Sequence, residues 1–169
     1  MLTACHMTTR RPALLPLLAV LLSAPGAAEA VPSNRSIALE AAGISRPGGP
    51  SGAAALSAAC WLDGDLEAQV RLTAGSVAQP AGRGTAGAVT AEAGLRWVDD
   101  EGRWRPLLGV ALGARLPAAA HPAALAGLAQ AGLERDLGPG WALGAALGLR
   151  WVQGEGAAAE AALGLRLYF

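Results

Sequence analysis

Residues 66–74 alternate without a break. Leu66, Ala68, Val70, Leu72 and Ala74 are apolar, and Glu67, Gln69, Arg71 and Thr73 between them are polar. Side chains of an extended strand point to opposite faces at period two, whereas a helix would spread both classes around its axis. The stretch therefore predicts a β-strand with one greasy and one wet face. The same alternation returns four times. Val89 to Trp97 sets Val89, Ala91, Ala93, Leu95 and Trp97 against Thr90, Glu92, Gly94 and Arg96. In Trp104–Arg115 the opposite face carries Arg105, Leu107, Gly109, Ala111, Gly113 and Arg115; in Trp141–Trp151 it carries Ala142, Gly144, Ala146, Gly148 and Arg150. Ala159–Phe169 opposes Leu163, Leu165, Leu167 and Phe169 to Glu160, Gly164, Arg166 and Tyr168. Two fainter strands lie near 35–45 and 53–62. An eighth falls near 125–136, although the Ala-rich stretch 117–137 suits a helix equally well and the pattern leaves both open. Pro106 removes one ladder hydrogen bond and is tolerable only near a strand end.

Asp63-Gly64-Asp65, Asp99 to Gly102 and Gly138-Pro139-Gly140 read as tight turns. Longer links fall between them, at Arg46 to Gly52, Ser76 to Gly84 and Pro117 to Ala124, with a shorter one at Gln153 to Gly156. Eight consecutive strands, an even number, with short turns at one rim and longer loops at the other, predict an all-β fold. It is a closed, antiparallel, up-and-down transmembrane β-barrel with both ends on the periplasmic side. A water-soluble barrel or sandwich with an ordinary apolar core, as in small secreted ligand carriers, is the alternative architecture.

Three observations turn the apolar face outward. The polar face carries Arg71, Arg96, Arg105, Arg115, Arg150 and Arg166 against Glu40, Glu67, Glu92, Glu134, Asp136 and Glu160, numbers that suit an ion-paired lumen. Seven glycines (94, 109, 113, 132, 144, 148 and 164) fall on the same face, where a narrow eight-stranded interior is crowded. Trp97, Trp104, Trp141 and Phe169 then share one rim with outward parity, and Trp151 lies ten residues from Trp141. At about 3.3 Å per residue and roughly 45° of tilt, ten residues climb about 23 Å, near the height of the apolar band of membrane barrels. These aromatics are the expected girdle, ring in acyl chains and N–H in water. Trp61 has inward parity and stands outside it.

The first 30 residues read as an export signal. Arg10 and Arg11 are the positive region, Ala13 to Leu22 the apolar run, and Ala28-Glu29-Ala30 an A-x-A cleavage site. Translation from Met7 would give a signal of more ordinary length; a retained amphipathic anchor is the alternative. The run is too short, and too broken by Pro16, to cross a bilayer as a helix. Residues 31–169 then form the barrel, as a monomer, with outer-membrane lipid around it and the export translocon as an earlier partner. Cys60 is the one cysteine left in that span, so it holds no internal disulfide. The chain has 169 residues, 53% of them apolar but rich in Ala and Gly, no Lys, thirteen Arg, and zero formal charge. That balance leaves no basic patch for nucleic acid.

The segment Glu160-Ala-Ala-Leu-Gly-Leu-Arg-Leu-Tyr-Phe169 resembles the terminal strand of outer-membrane β-barrels, in which a Gly, an apolar residue three later and a final Phe are read by the barrel-assembly machinery. Gly164, Leu167 and Phe169 occupy those positions, while Ala162 replaces the polar residue expected two before the Gly. Size and strand count are similar to the OmpA membrane domain and the OmpX type. The resemblance implies the cell outer membrane of a Gram-negative bacterium as location, and the assembly machinery as a partner touching Leu165, Leu167 and Phe169.

Some barrels of this size act on lipid A, so nucleophile and base arrangements matter. His121 precedes Pro122 in a loop, and no serine sits in a nucleophile context. After the expected signal, one His and one Cys remain, and they cannot make a structural zinc site. No catalytic site, cofactor or metal is expected. The expected role is structural or interactive, with a small-solute pore or lipid-surface enzyme in the same fold as the rival.

Overall fold

The computed structural model describes residues 35–46, 49–78, 85–99, 102–118 and 122–169. The expected export signal and His121 lie outside them. The strands are β1 (Arg35–Arg46), β2 (Gly49–Asp63), β3 (Leu66–Ala78), β4 (Thr85–Val98), β5 (Trp104–Arg115), β6 (Ala124–Gly138), β7 (Trp141–Val152) and β8 (Gly156–Tyr168). Each pairs antiparallel with the next, and β8 returns to β1 over Ser36↔Tyr168 to Ser45↔Ala159, closing the barrel. Beyond that seam, Arg35 and Phe169 exchange backbone hydrogen bonds of 3.3 and 2.9 Å. Closure leaves no strand edge unpaired.

The Ala-rich stretch is strand β6, not a helix. Its helix propensity yields to two flanking strands whose backbone groups need a partner: β6 matches β5 from Trp104↔Arg135 to Arg115↔Ala124, and β7 from Ala126↔Val152 onward. The link expected from Arg46 to Gly52 is shorter than its Gly, Pro and Ser content suggests. Gly49 pairs with Arg46 and Pro50 with Ser45, so only residues 47–48 connect β1 to β2. Pro50 is tolerated as the second residue of its strand. One rim, the turn rim, carries the links 64–65, 99–103 and 139–140 together with Arg35 and Phe169. The opposite loop rim carries 47–48, 79–84, 116–123 and 153–155. At Gly140 the backbone is left-handed (φ +74°) and its carbonyl accepts from the Tyr168 N–H at 2.7 Å. A side chain there would be strained as well as crowded against Tyr168.

Even positions of β1, β4, β6, β7 and β8, and odd positions of β2, β3 and β5, point inward. Polarity follows that rule in the sense opposite to a soluble core: Leu112 and Leu147 are 76% and 71% exposed, whereas Arg71 and Glu67 are each 1% exposed. Ala38, Ile44, Val98, Leu107, Leu128 and Val152 fill the remaining interior. The inward glycines divide into two kinds. At Gly94, Gly113 and Gly132 an added methyl would land on the carbonyl oxygen of the neighbouring strand (Val110, Ala91 and Ala145), so these positions let two backbones close up. At Gly109 and Gly144 it would instead meet the lumen side chains Gln130 and Glu134, at 3.1 and 3.3 Å. Gly148 and Gly164 meet both kinds of neighbour, Gly164 the Glu40 side chain at 2.7 Å and the Leu39 carbonyl oxygen at 3.0 Å. Crowding in the lumen therefore accounts for part of the glycine pattern, and strand approach for the rest.

Candidate functional site

The inward charges gather into three groups, stacked from rim to rim. Nearest the turn rim is a group centred on Glu134 of β6. One of its oxygens accepts from Arg96 Nη1 at 2.7 Å and from Arg166 Nε at 3.0 Å. The other accepts from the Tyr168 hydroxyl at 2.6 Å and lies 3.8 Å from Arg105. Arg96 also donates to Glu67 at 2.7 Å, Arg166 to the Ser36 hydroxyl at 2.8 Å, and Arg105 stacks 4.8 Å from the Tyr168 ring centroid. Six strands contribute to this one knot.

The middle group is a chain of alternating charges. Glu40 of β1 accepts from Arg71 Nε at 3.0 Å and from the Ser57 hydroxyl at 3.2 Å. Arg71 continues to Glu160 at 2.8 Å, Glu160 to Arg150 at 2.5 Å, and Arg150 to Glu92 at 2.5 Å. Arg71 and Glu92 approach to 4.0 Å, which nearly closes the chain into a ring. Apart from Glu40, which is half-buried, these side chains are buried. Ions taken out of water are tolerated only when paired, and here each faces an opposite charge.

At the loop rim, Arg115 of β5 and Arg46 of β1 both contact Glu155 of the β7–β8 link, Arg46 at 2.5 Å. Periodicity had given Arg46 and Glu155 no role. The parity of Arg46 matches that of Glu40, so half of the contact was visible; Glu155 lies in a turn, where period two carries no information. Tyr168 likewise shares the parity of Glu160 and Arg166, although its hydroxyl contact was not foreseen. Asp136 has inward parity but leaves the network: it is exposed, and its carboxylate accepts from the Gly138 N–H at 2.8 Å, stabilising the bulge that ends β6.

Between the turn-rim and middle groups remains a cavity of about 30 Å³ lined by Glu40, Arg96, Gln130, Glu134 and Arg166, the space of about one water. β2 adds no charge inward; Ala55, Ser57 and Ala59 are its buried side chains. Among the described residues, no three His, Cys, Asp or Glu side chains converge as a metal site requires.

On the outer wall, Trp97, Trp104, Trp141 and Phe169 are exposed near the turn rim and Trp151 near the loop rim. Trp61 is half-buried, with inward parity. Along β8, Leu165, Leu167 and Phe169 face outward, and Gly164 faces inward beside Glu40.

No protein-family model matches the chain, and no curated protein matches it in sequence. Solved structures do resemble it. Neisserial surface protein A (NspA) superposes with a TM-score of 0.63 at 17% identity, covering 80% of this chain and 96% of that one. The N-terminal β-barrel domain of Pseudomonas aeruginosa OprF gives 0.53 at 17% identity, over 81% and 98%. A de novo designed transmembrane β-barrel gives 0.52 at 13% identity, over 84% and 100%. At such identities the likeness is one of fold: the chain has the fold of small eight-stranded outer-membrane β-barrels.

Proposed function

We propose that the chain is exported and inserted as a monomer into the outer membrane of a Gram-negative bacterium. There it serves as a structural or interaction barrel and not as a catalyst. The observation that carries this reading is the inverted polarity of the wall. Leucines stand exposed around the outside between two levels of aromatic side chains, while arginines and glutamates are buried along the axis. In water such a wall would expose a continuous apolar surface far larger than monomeric proteins present. In a bilayer it is what hydrocarbon requires, since the closed sheet pairs its own backbone and presents apolar side chains between the aromatic levels.

The lumen supports the non-catalytic, closed half of the reading. Its carboxylates accept from arginines, Tyr168 or Ser57, so no paired acid and base stands ready for proton transfer. Among the described residues, the gap between the turn-rim and middle groups holds about one water, which supports a closed lumen. Biogenesis on this reading uses the residue 1–30 signal and the translocon. The outward side chains of β8, Leu165, Leu167 and Phe169, then engage the barrel-assembly machinery. Migration on gels with and without boiling tests the proposal, together with carbonate washing of membrane fractions. A compact, heat-modifiable band retained in the washed membranes is expected; a protein released into the wash overturns it. Planar-bilayer recordings should show no steady conductance.

A further inference from the structure

The outer wall is not evenly greasy. Along β6 the outward positions Gly127, Ala129 and Ala131 carry at most a methyl group, while Val110 and Leu112 on β5 and Leu147 and Leu149 on β7 stand up on either side. The result is two adjoining hollows of about 680 and 500 Å³ that share Leu95, Val110, Ala129 and Leu149; together they form one furrow that passes over β6 and reaches across β5 to β4. Further along the same face of β6, past Leu133, stands Arg135. It is the one charged side chain among the described outward positions of β4 to β7. It is exposed, and its guanidinium carbon lies 5.3 Å from the ring centroid of Trp104, at the turn rim.

Resting on the membrane reading above, we propose that this face holds one glycerophospholipid of the leaflet at the turn rim. Its phosphate lies on Arg135 beside Trp104, and one acyl chain lies in the furrow over Ala131, Ala129 and Gly127. A guanidinium is weakly hydrated and donates in a planar fork that fits a phosphate diester, and Trp belongs at head-group depth. Inside hydrocarbon there is no hydrophobic preference for one acyl contact over another, so selection must come from shape and from polar anchoring. The furrow supplies shape and Arg135 the anchor. Leu133 lies between them, where the glycerol and first methylenes would pass. Four residues from Ala131 to Arg135 extend about 13 Å along the strand, which sets the phosphate apart from the chain's resting place.

The test is native mass spectrometry of the full-length protein in detergent with added dimyristoylphosphatidylglycerol, each sample also run unheated on a gel to show the folded band. Wild type is expected to keep one phospholipid. Ala129→Leu, which fills the furrow with a residue still suited to lipid, and Arg135→Gln should each lower the retained fraction about tenfold. Ala41→Leu, on the outer face of β1 away from the furrow, should leave it unchanged. Equal retention in all four proteins overturns the proposal, as does loss with Ala129→Leu but not with Arg135→Gln. A wild type lacking the folded band would overturn the membrane reading instead, and the two failures are separable on the same gel.

Discussion

The two large ionic groups of the lumen are both built on arginine and glutamate but are wired differently. Near the turn rim, Arg96, Arg105, Arg166 and Tyr168 converge on one carboxylate, Glu134, as a star. In the middle, Glu40, Arg71, Glu160, Arg150 and Glu92 run as a chain in which each arginine touches two or three carboxylates. A star is most loaded at its centre, because removing the hub takes a shared partner from Arg96, Arg105 and Arg166 at once. A chain loses one link and keeps the others. The lesson is that burial and charge balance do not by themselves rank the importance of an ion pair; connectivity does.

Substitutions can break or sharpen that contrast. Glu134→Ala should have the largest effect, about 3–5 kcal/mol of unfolding free energy, since Arg96, Arg105 and Arg166 lose a shared partner inside the barrel. Urea unfolding of vesicle-inserted protein, followed by tryptophan fluorescence, measures it. Leu147→Arg, on the outer wall at mid-height between Trp141 and Trp151, should cost about 2–4 kcal/mol in the same assay. It calibrates the star against the penalty for a charge facing lipid. Glu92→Ala should cost about 1–3 kcal/mol, because Glu160 still holds Arg150. A loss as large as that for Glu134→Ala would end the distinction between star and chain. Ala146→Ser, inward on β7 with no charge beside it in register, should change stability by less than about 0.5 kcal/mol. A clear loss there would mean that the lumen is packed too tightly for its connectivity to matter.

The architecture was largely legible because period two needs only side-chain polarity, and on β3, β4, β5, β7 and β8 every charged lumen residue keeps one parity even though Val98, Leu107 and Val152 share it. It was least legible where both faces are small. In β6, Ala126 faces in and Ala129 faces out, and no contrast between them marks a strand. The early start of β2 was hidden for another reason: Gly49, Pro50 and Ser51 are turn formers held in the ladder by β1. In the lumen, parity placed Glu134 and Arg166 inside but could not place them together. Which arginine reaches which glutamate depends on the stagger of strands that are not neighbours, as with β4 and β6 in the Arg96–Glu134 contact. That stagger is a property of the closed sheet and is written in no single strand. Arg135 was likewise visible as a residue, but its place over Trp104 follows from the β5–β6 register.

The hydrogen bonds between Arg35 and Phe169 mean that the order in which the strands are synthesised is separable from the order in which they stand around the ring. A short linker could fuse those two points, and the chain could be reopened in the 153–155 link without disturbing any pair in the sheet. Such a circular permutant would keep the wall intact while placing β1 directly after Phe169 in the polypeptide. It would thus separate what that aromatic residue contributes to a finished wall from what it contributes by its place in the order of synthesis.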